Sequence, residues 1–334
     1  MSFLPTDEQR AFARSLDAML SASDTPAAVR AWAGGDPGPG RALWGRLAEA
    51  GVFALAVPEA YDGVGPLPVE LAHALVELGR HVVPGPVVET VATAVLLGEL
   101  ARLGEPGPAK RLLPGLASGE WTATLAIAGT ESEGHPVPYA LDADRADAVL
   151  VVRGEELWRA PGHGPVEVSA DPARRLARPA PGGELLAEGT AVAVAAGHAR
   201  RLATLATAAQ SLGVGRALLD RTVAYARQRT QFGTPIGAFQ AVKHRLADTL
   251  LALEFAGPLV FGAAVTSAEG DVAAAKVAAG EAGYAAARTA LQIHGAVGYT
   301  EELDLSLWLR KARPLRDAWG DPAACRAAVL GACS

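Results

Sequence analysis

Apolar positions along the chain change their period twice. Behind Thr6 they fall on one helical face, at Phe12, Leu16, Met19 and Leu20, and the Thr-x-x-Gln frame at 6–9 is a capping box, which predicts a helix starting near Thr6. A second helix runs from about 41 and stops at Gly51, and residues 68–103 supply more helix, broken by Pro-Gly-Pro at 84–86. From about 120 the texture changes. "WTATLAIA", "ADAVLVV", "ELWRA" and "VEVSA" are short apolar or alternating runs separated by Gly, Pro and Asp, as strands are. After "PAPGG" at 179–183 helical spacing returns, with 198–227, 238–268, 271–293 and roughly 301–313 as candidate helices. The pattern predicts a mainly α chain with a small β-domain: an N-terminal helical domain (1–117), a middle β-domain (118–190) and a C-terminal helical bundle (191–334).

Composition narrows the class without naming a chemistry. The 334 residues are half apolar and one-fifth charged with a formal net charge of −6, which fits an ordinary globular protein and not a disordered or nucleic-acid-binding chain. The start has no positive n-region followed by an apolar h-region, and no run approaches the length of a membrane span, so a soluble, cytoplasmic protein without membrane insertion is expected. The two cysteines, Cys325 and Cys333, lack metal or redox spacing and read as free thiols. Arginine outnumbers lysine 26 to 4, a bias that carries no functional weight.

Several chemistries find no support. Gly-Val-Gly at 213–215 sits inside a helical pattern with no strand before it, unlike a dinucleotide fingerprint. Ser211 lacks the Gly-x-Ser-x-Gly frame, and the seven histidines show no metal-ligand spacing, so no metal site is expected. Two stretches stand out. "RQRTQFGTPIGAFQ" (227–240) offers a guanidinium fork at Arg229, an aromatic face at Phe232 and an amide at Gln240, suited to something flat and anionic, or else to a helix–helix loop with a solvated arginine. In "QIHGAVGYTEELDLSLWLRKAR" (292–313) a helix ends in a Gly-x-x-Gly turn, read either as backbone amides open to an anion or as an ordinary glycine C-cap.

Taken together, "RTQFGTPIGAFQAVKHRLAD" and, some fifty residues on, "LQIHGAVGYTEELDLSLWLRKA" resemble the acyl-CoA dehydrogenase family. The likeness extends to "LAEAGVFALAVPEAYDGVG" and "ELGRHVVPGPVVET", so it covers most of the chain and implies the family's three-domain fold. In that family FAD is shared across a subunit interface. The resemblance implies that Arg229 and Gln240, with Phe232 beside them, contact the pyrophosphate region of a flavin held chiefly by a neighbour, and that Gln292, Ile293, His294, Gly295 and Ala296 form a second gripping turn.

The other half of the family's site departs from the pattern. Of the Thr-Glu-Pro-x-x-Gly-Ser segment that cradles flavin and thioester, only Thr130 and Glu131 remain, the Trp-Ile-Thr-like strand is missing, and the β-domain is short at about seventy residues, from Glu120 to Gly189. Dehydrogenation needs a carboxylate at the α-carbon. By the resemblance, the two positions that hold this glutamate in family members are occupied here by Trp319 and Ala203, neither of which takes a proton. Asp317 and Asp321 flank Trp319 as substitute candidates. The substrate-contacting arginine of some members maps onto Thr204, with Arg200 and Arg201 one turn earlier.

The resemblance therefore implies the non-catalytic-type subunit of a heteromeric (α2β2) bacterial acyl-CoA dehydrogenase. It would be an oxidoreductase acting on CH-CH bonds, active with a homologous partner that carries the glutamate. The expected substrate is a bulky, steroid-side-chain type acyl-CoA, with electron-transfer flavoprotein as a further partner. The alternatives are a self-sufficient homotetrameric enzyme using Asp317 or Asp321, and a non-catalytic scaffold of the same fold.

Overall fold

A computed structural model describes residues 5–128, 138–167 and 169–332. Eleven α-helices and nine strands are found among them. In chain order these are α1 (Asp7–Ser21), α2 (Thr25–Gly34), α3 (Gly38–Glu49), α4 (Pro68–Arg80), α5 (Val87–Arg102), α6 (Pro106–Ala117), β1 (Ala123–Ile127), β2 (Ala140–Leu141), β3 (Ala148–Arg153), β4 (Glu156–Arg159), β5 (His163–Glu167), β6 (Leu176–Pro179) and β7 (Glu184–Glu188). They are followed by α7 (Thr190–Gln228), β8 (Thr230–Gln231), β9 (Thr234–Pro235), α8 (Gln240–Thr266), α9 (Glu269–His294), α10 (Leu305–Asp317) and α11 (Pro322–Ala332). The order helices, strands, helix bundle is the one the apolar periods predict.

Local signals explain most boundaries. Thr6 accepts the Gln9 amide at 3.2 Å while the Gln9 side chain accepts the Thr6 amide at 2.9 Å, so the capping box forms in full. Gly51 takes a left-handed φ of 78° just beyond α3. Two expectations need correction. Helical spacing does not resume directly after residue 183, because Glu184–Glu188 pairs with β4 as a strand before α7 begins. And α8 is long and apolar enough to cross a membrane, with a mean hydropathy of 1.6 over its most apolar window. Its cations are gathered in the first turns, which leaves the rest apolar; 39% of that window is buried.

The chain forms two compact units. One comprises Ala27–Leu71 and Pro84–Ala203. In it, the sheet β1-β3-β4-β7 has β1 parallel to β3 and its other pairs antiparallel, and β2-β6-β5 forms a second, antiparallel sheet. Ala126, Ala140, Ala143, Val149 and Ala177 join strands of both sheets in one small-residue core, and α5 packs on β1, where the Thr90 hydroxyl donates to the Ala123 carbonyl at 2.8 Å.

The other unit comprises Met1–Pro26, Ala72–Val83 and Thr204–Ser334. Here α9 is the hub, packed against α8, α10 and α11. Glycines let three backbones touch. A Cβ at Gly213 would lie 1.9 Å from the Val76 carbonyl oxygen, one at Gly79 would lie 2.3 Å from that of Gln210, and one at Gly283 would lie 2.6 Å from that of Ser211. Gly213, in the Gly-Val-Gly run, thus serves the crossing of α7 with α4, and Gly215 lies against Gly283 of α9.

Candidate functional site

The loop after α7 is a two-residue hairpin. Phe232 (φ 54°) and Gly233 (φ 78°) are both left-handed between β8 and β9, the backbone of a type I′ turn, and an aromatic in that region costs on the order of 1 kcal/mol. The strain goes with display: Phe232 is 95% exposed, with the edge of Phe239 at 6.3 Å between ring centroids. Arg229 is fixed by its backbone, donating to the Tyr225 carbonyl (2.9 Å) and accepting from the Ile236 amide (2.8 Å). Its guanidinium faces solvent and makes no hydrogen bond or ion pair among the described residues. Gln240, the first residue of α8, is exposed too.

The second stretch divides. Gln292 is exposed and lines an open groove of about 570 Å³ between α8 and α9, together with Arg245, Arg288 and Tyr299. Ile293 is half-buried, and Gly295 and Ala296 are exposed. His294 turns inward. Its ring stacks on Tyr225 at 4.1 Å, its Nδ1–H donates to the Ala290 carbonyl at 2.8 Å, and burial holds its pKa below the usual imidazole range, so the ring is neutral. The turn itself does what a C-cap does: Gly295, at φ 62°, donates its amide to the Leu291 carbonyl. Among the five residues predicted to grip, Gln292, Gly295 and Ala296 present accessible groups, whereas the His294 side chain is committed to its own helix.

The segment after α10 is tied down from several sides. The ammonium of Lys276, a buried α9 residue, donates to the Leu315 carbonyl (2.5 Å) and the Thr207 hydroxyl (2.9 Å). The Thr204 hydroxyl donates to the Trp319 carbonyl at 2.6 Å, and the Thr207 hydroxyl lies 3.4 Å from the Ala318 carbonyl. Together these groups satisfy carbonyls at the end of α10 that the helix cannot pair itself. Trp319 adopts a left-handed φ of 56° inside this clasp. Thr204, mapped from the substrate arginine, serves the clasp.

The flanking acids have other partners. The Asp321 carboxylate accepts the amides of Ala323 (2.8 Å) and Ala324 (3.0 Å) as the N-cap of α11. Asp317 is paired with Arg313 at 3.0 Å and is 43% exposed. In the other unit, Ala203 is fully buried and Arg201 lies within electrostatic reach of Glu99. Thr130 and Glu131 lie outside the described residues. Asp17, Glu77 and His81 bring ligand-type atoms within 4.8 Å of one another, but Arg80 stands 3.5 Å from Glu77 and 3.9 Å from Asp17 and supplies the cation there.

Helices, a two-sheet β-unit and an α9-centred helix bundle follow one another along the chain, with a solvent-facing Arg-x-x-Phe-Gly hairpin between α7 and α8. Residues 6–120 match the N-terminal domain of acyl-CoA dehydrogenase and residues 187–326 match its C-terminal domain, and the chain belongs to the acyl-CoA dehydrogenase family. It is 33% identical over 311 residues, 92% of each chain, to the acyl-CoA dehydrogenase IpdE2 of Mycobacterium tuberculosis. Among solved structures it resembles a chain of the ChsE4-ChsE5 complex of the same organism, at TM-score 0.82 and 26% identity over 99% of this chain and 98% of that one. The fold is also that of a Tcur3481-Tcur3483 steroid ACAD, at TM-score 0.81 and 24% identity, covering 98% of this chain and 99% of that one.

Sequence reasoning missed Lys276, Thr207 and the groove arginines. The first two carry no motif. The arginines leave a charge signature: between Asp220 and Asp248 the chain has five Lys or Arg and no acidic residue, within a protein of net charge −6.

Proposed function

We propose that this chain is the base-lacking subunit of an α2β2 acyl-CoA dehydrogenase, completing an FAD site that a homologous partner holds and uses. The observation that carries the reading is the state of the base positions. Trp319 and Ala203 take no proton, Asp321 caps a helix and Asp317 is paired at the surface. A general base must stand within hydrogen-bond reach of the proton it abstracts, and a carboxylate committed to helix amides is not placed to do so. The partner's glutamate would take the α-proton.

The gripping half fits the group it would meet. Arg229 offers an unpaired fork for a pyrophosphate on a pinned backbone, Phe232 a fully displayed ring, and Gln240 and Gln292 free amides. FAD, when bound, accepts the hydride that leaves the β-carbon of the acyl thioester. This chain's residues orient that group across the interface and touch neither reacting carbon. Two structural neighbours, a two-component complex and a steroid ACAD, favour a bulky steroid-type acyl-CoA as substrate. Electron-transfer flavoprotein would receive the electrons.

Co-expression with a neighbouring acyl-CoA dehydrogenase-like gene product, followed by measurement of mass and flavin per complex, tests the reading. A yellow α2β2 species with the lone chain colourless is expected. If the lone chain binds FAD stoichiometrically and oxidises an acyl-CoA, the proposal fails.

A further inference from the structure

In the unit that holds both sheets, two side chains of opposite charge type bracket one buried indole without meeting each other. Asp142 and Arg145 lie three residues apart in the turn that leaves β2, where the Asp142 carbonyl accepts the Arg145 amide at 2.9 Å. Trp32 of α2 is buried. Its Nε1–H donates to Asp142 Oδ1 at 2.9 Å, while the Arg145 guanidinium lies over its ring, 4.4 Å from the centroid. Asp142 Oδ2 and Arg145 Nη1 are both buried and have no hydrogen-bond partner among the described residues. The Arg145 side chain is 6% exposed, so bulk water does not replace the missing partner. A buried acceptor and a buried donor each cost free energy while unmatched.

The backbone around the two side chains is fixed. Asp142, at a left-handed φ of 53°, donates its amide to the Arg175 carbonyl at 2.6 Å, and Arg41 of α3 donates to the Arg145 carbonyl at 3.0 Å. The charged groups facing Asp142 are Glu89 of α5 and Asp144, which oppose its ionisation, and Arg145, which favours it. Those facing Arg145 are Asp144 at 3.7 Å, Asp142, Arg175 and Arg41. Of the two acids near Arg145, Asp144 is already shared with Arg175 at 2.8 Å. Asp142 is the one whose charge changes near neutral pH, because burial pushes its pKa up to about 7. An ionised carboxylate at this depth is tolerable only beside a cation, and the nearest unmatched donor is Arg145 Nη1.

We propose that the turn at 142–145 is a two-position switch: with Asp142 protonated, Arg145 rests on the Trp32 ring, and when Asp142 releases its proton to solvent, Arg145 turns off the ring face and Nη1 closes an ion pair with Asp142 Oδ2. The backbone stays where the Arg175 carbonyl and Arg41 hold it, and only side chains exchange partners. The Trp32 hydrogen bond to Oδ1 persists in both positions and becomes charge-assisted in the second. Trp32 belongs to α2 and the turn follows β2, so the switch changes how a helix is tied to the sheets. It needs no partner subunit.

The test follows the Trp32 indole N–H resonance of the full chain, labelled with 15N-tryptophan, from about pH 5 to about pH 9; the resonance is identified by its loss in Trp32→Phe. In the parent it is expected to move with a single midpoint near 7, and in Asp142→Asn to stay fixed. Arg145→Gln is expected to raise the midpoint by at least about one pH unit, a tenfold gain in proton affinity, because the ionised acid loses its cation. Circular dichroism of each variant controls for folding. A parent resonance that does not move across the range overturns the switch, whether or not the variants fold. So does movement that persists in Asp142→Asn, which assigns the titration to another group. A smaller rise of the midpoint in Arg145→Gln also overturns it, since Arg145 then does not take up the carboxylate.

Discussion

The hairpin at 229–240 and the clasp at 315–321 belong to the same unit and treat polar groups in opposite ways. In the hairpin, backbone bonds are made and side chains are left over: Arg229 faces water unpaired and Phe232 is almost wholly exposed. In the clasp the leftover carbonyls of α10 are taken up by Lys276, Thr207 and Thr204, and even the acids alongside are engaged. An exposed guanidinium is solvated and costs little to leave unpaired, so it stays available to a ligand, whereas a sealed polar network resists change because any deletion strands a partner. In the proposed reading, the contrast is between a surface that meets flavin and a base position taken over by structure.

The largest effect is expected on the open side. In the assembled complex, Arg229→Ala should remove most of the bound flavin, read as the ratio of visible to ultraviolet absorbance, while the two chains stay associated. Retention of full flavin would reduce the hairpin to a structural loop and favour the scaffold alternative.

Next comes a sealed group in the other unit. Asp142 is fully buried, accepts the Trp32 indole N–H at 2.9 Å through Oδ1 and leaves Oδ2 without a partner. Burial, opposed by the Trp32 hydrogen bond and reinforced by Glu89, pushes its pKa from 3.8 to about 7. The folded state therefore holds this proton more tightly than the unfolded chain, so its contribution to stability is full below about pH 4 and is lost as pH rises toward 7, by up to about 4 kcal/mol. Denaturant midpoints across that window should lose this component of the slope in Asp142→Asn.

Smaller effects test the clasp itself. Lys276→Met should lower the unfolding free energy by about 2 kcal/mol, because the Leu315 carbonyl loses its donor in a buried setting. Asp321→Ala should cost about 1 kcal/mol as a lost N-cap, and Asp317→Ala less than about 0.5 kcal/mol as a lost surface pair, with turnover of the complex unchanged in both. Loss of turnover in either would restore the self-sufficient enzyme.

What the sequence made legible follows from how local each signal is. The capping box at Thr6, the Pro-Gly-Pro break and the long apolar periods of α8 and α9 act within a few residues and appear as expected. The strand at 184–188 escaped because its pairing with β4 is a non-local fact that five residues of sequence do not carry. At the candidate site, motif matching singled out Arg229, Phe232 and Gln292 but not which groups face outward; the inward turn of His294 depends on Tyr225, sixty-nine residues away along the chain. The clasp was illegible for the same reason, since Lys276, Thr207 and Leu315 meet only in the folded bundle.

The glycines at the helix crossings bear on how such subunits can be found in genomes. If the partner supplies the base, as proposed, neither 203 nor 319 needs to be a glutamate in this chain, so searches keyed to the glutamate will pass it by. Gly79, Gly213 and Gly283 are not free to vary, because a methyl group at any of them meets a neighbouring backbone. A search profile weighted on those three positions and on the Arg-x-x-Phe-Gly hairpin, and blind to the base, is the one suited to recover silent halves of two-chain dehydrogenases.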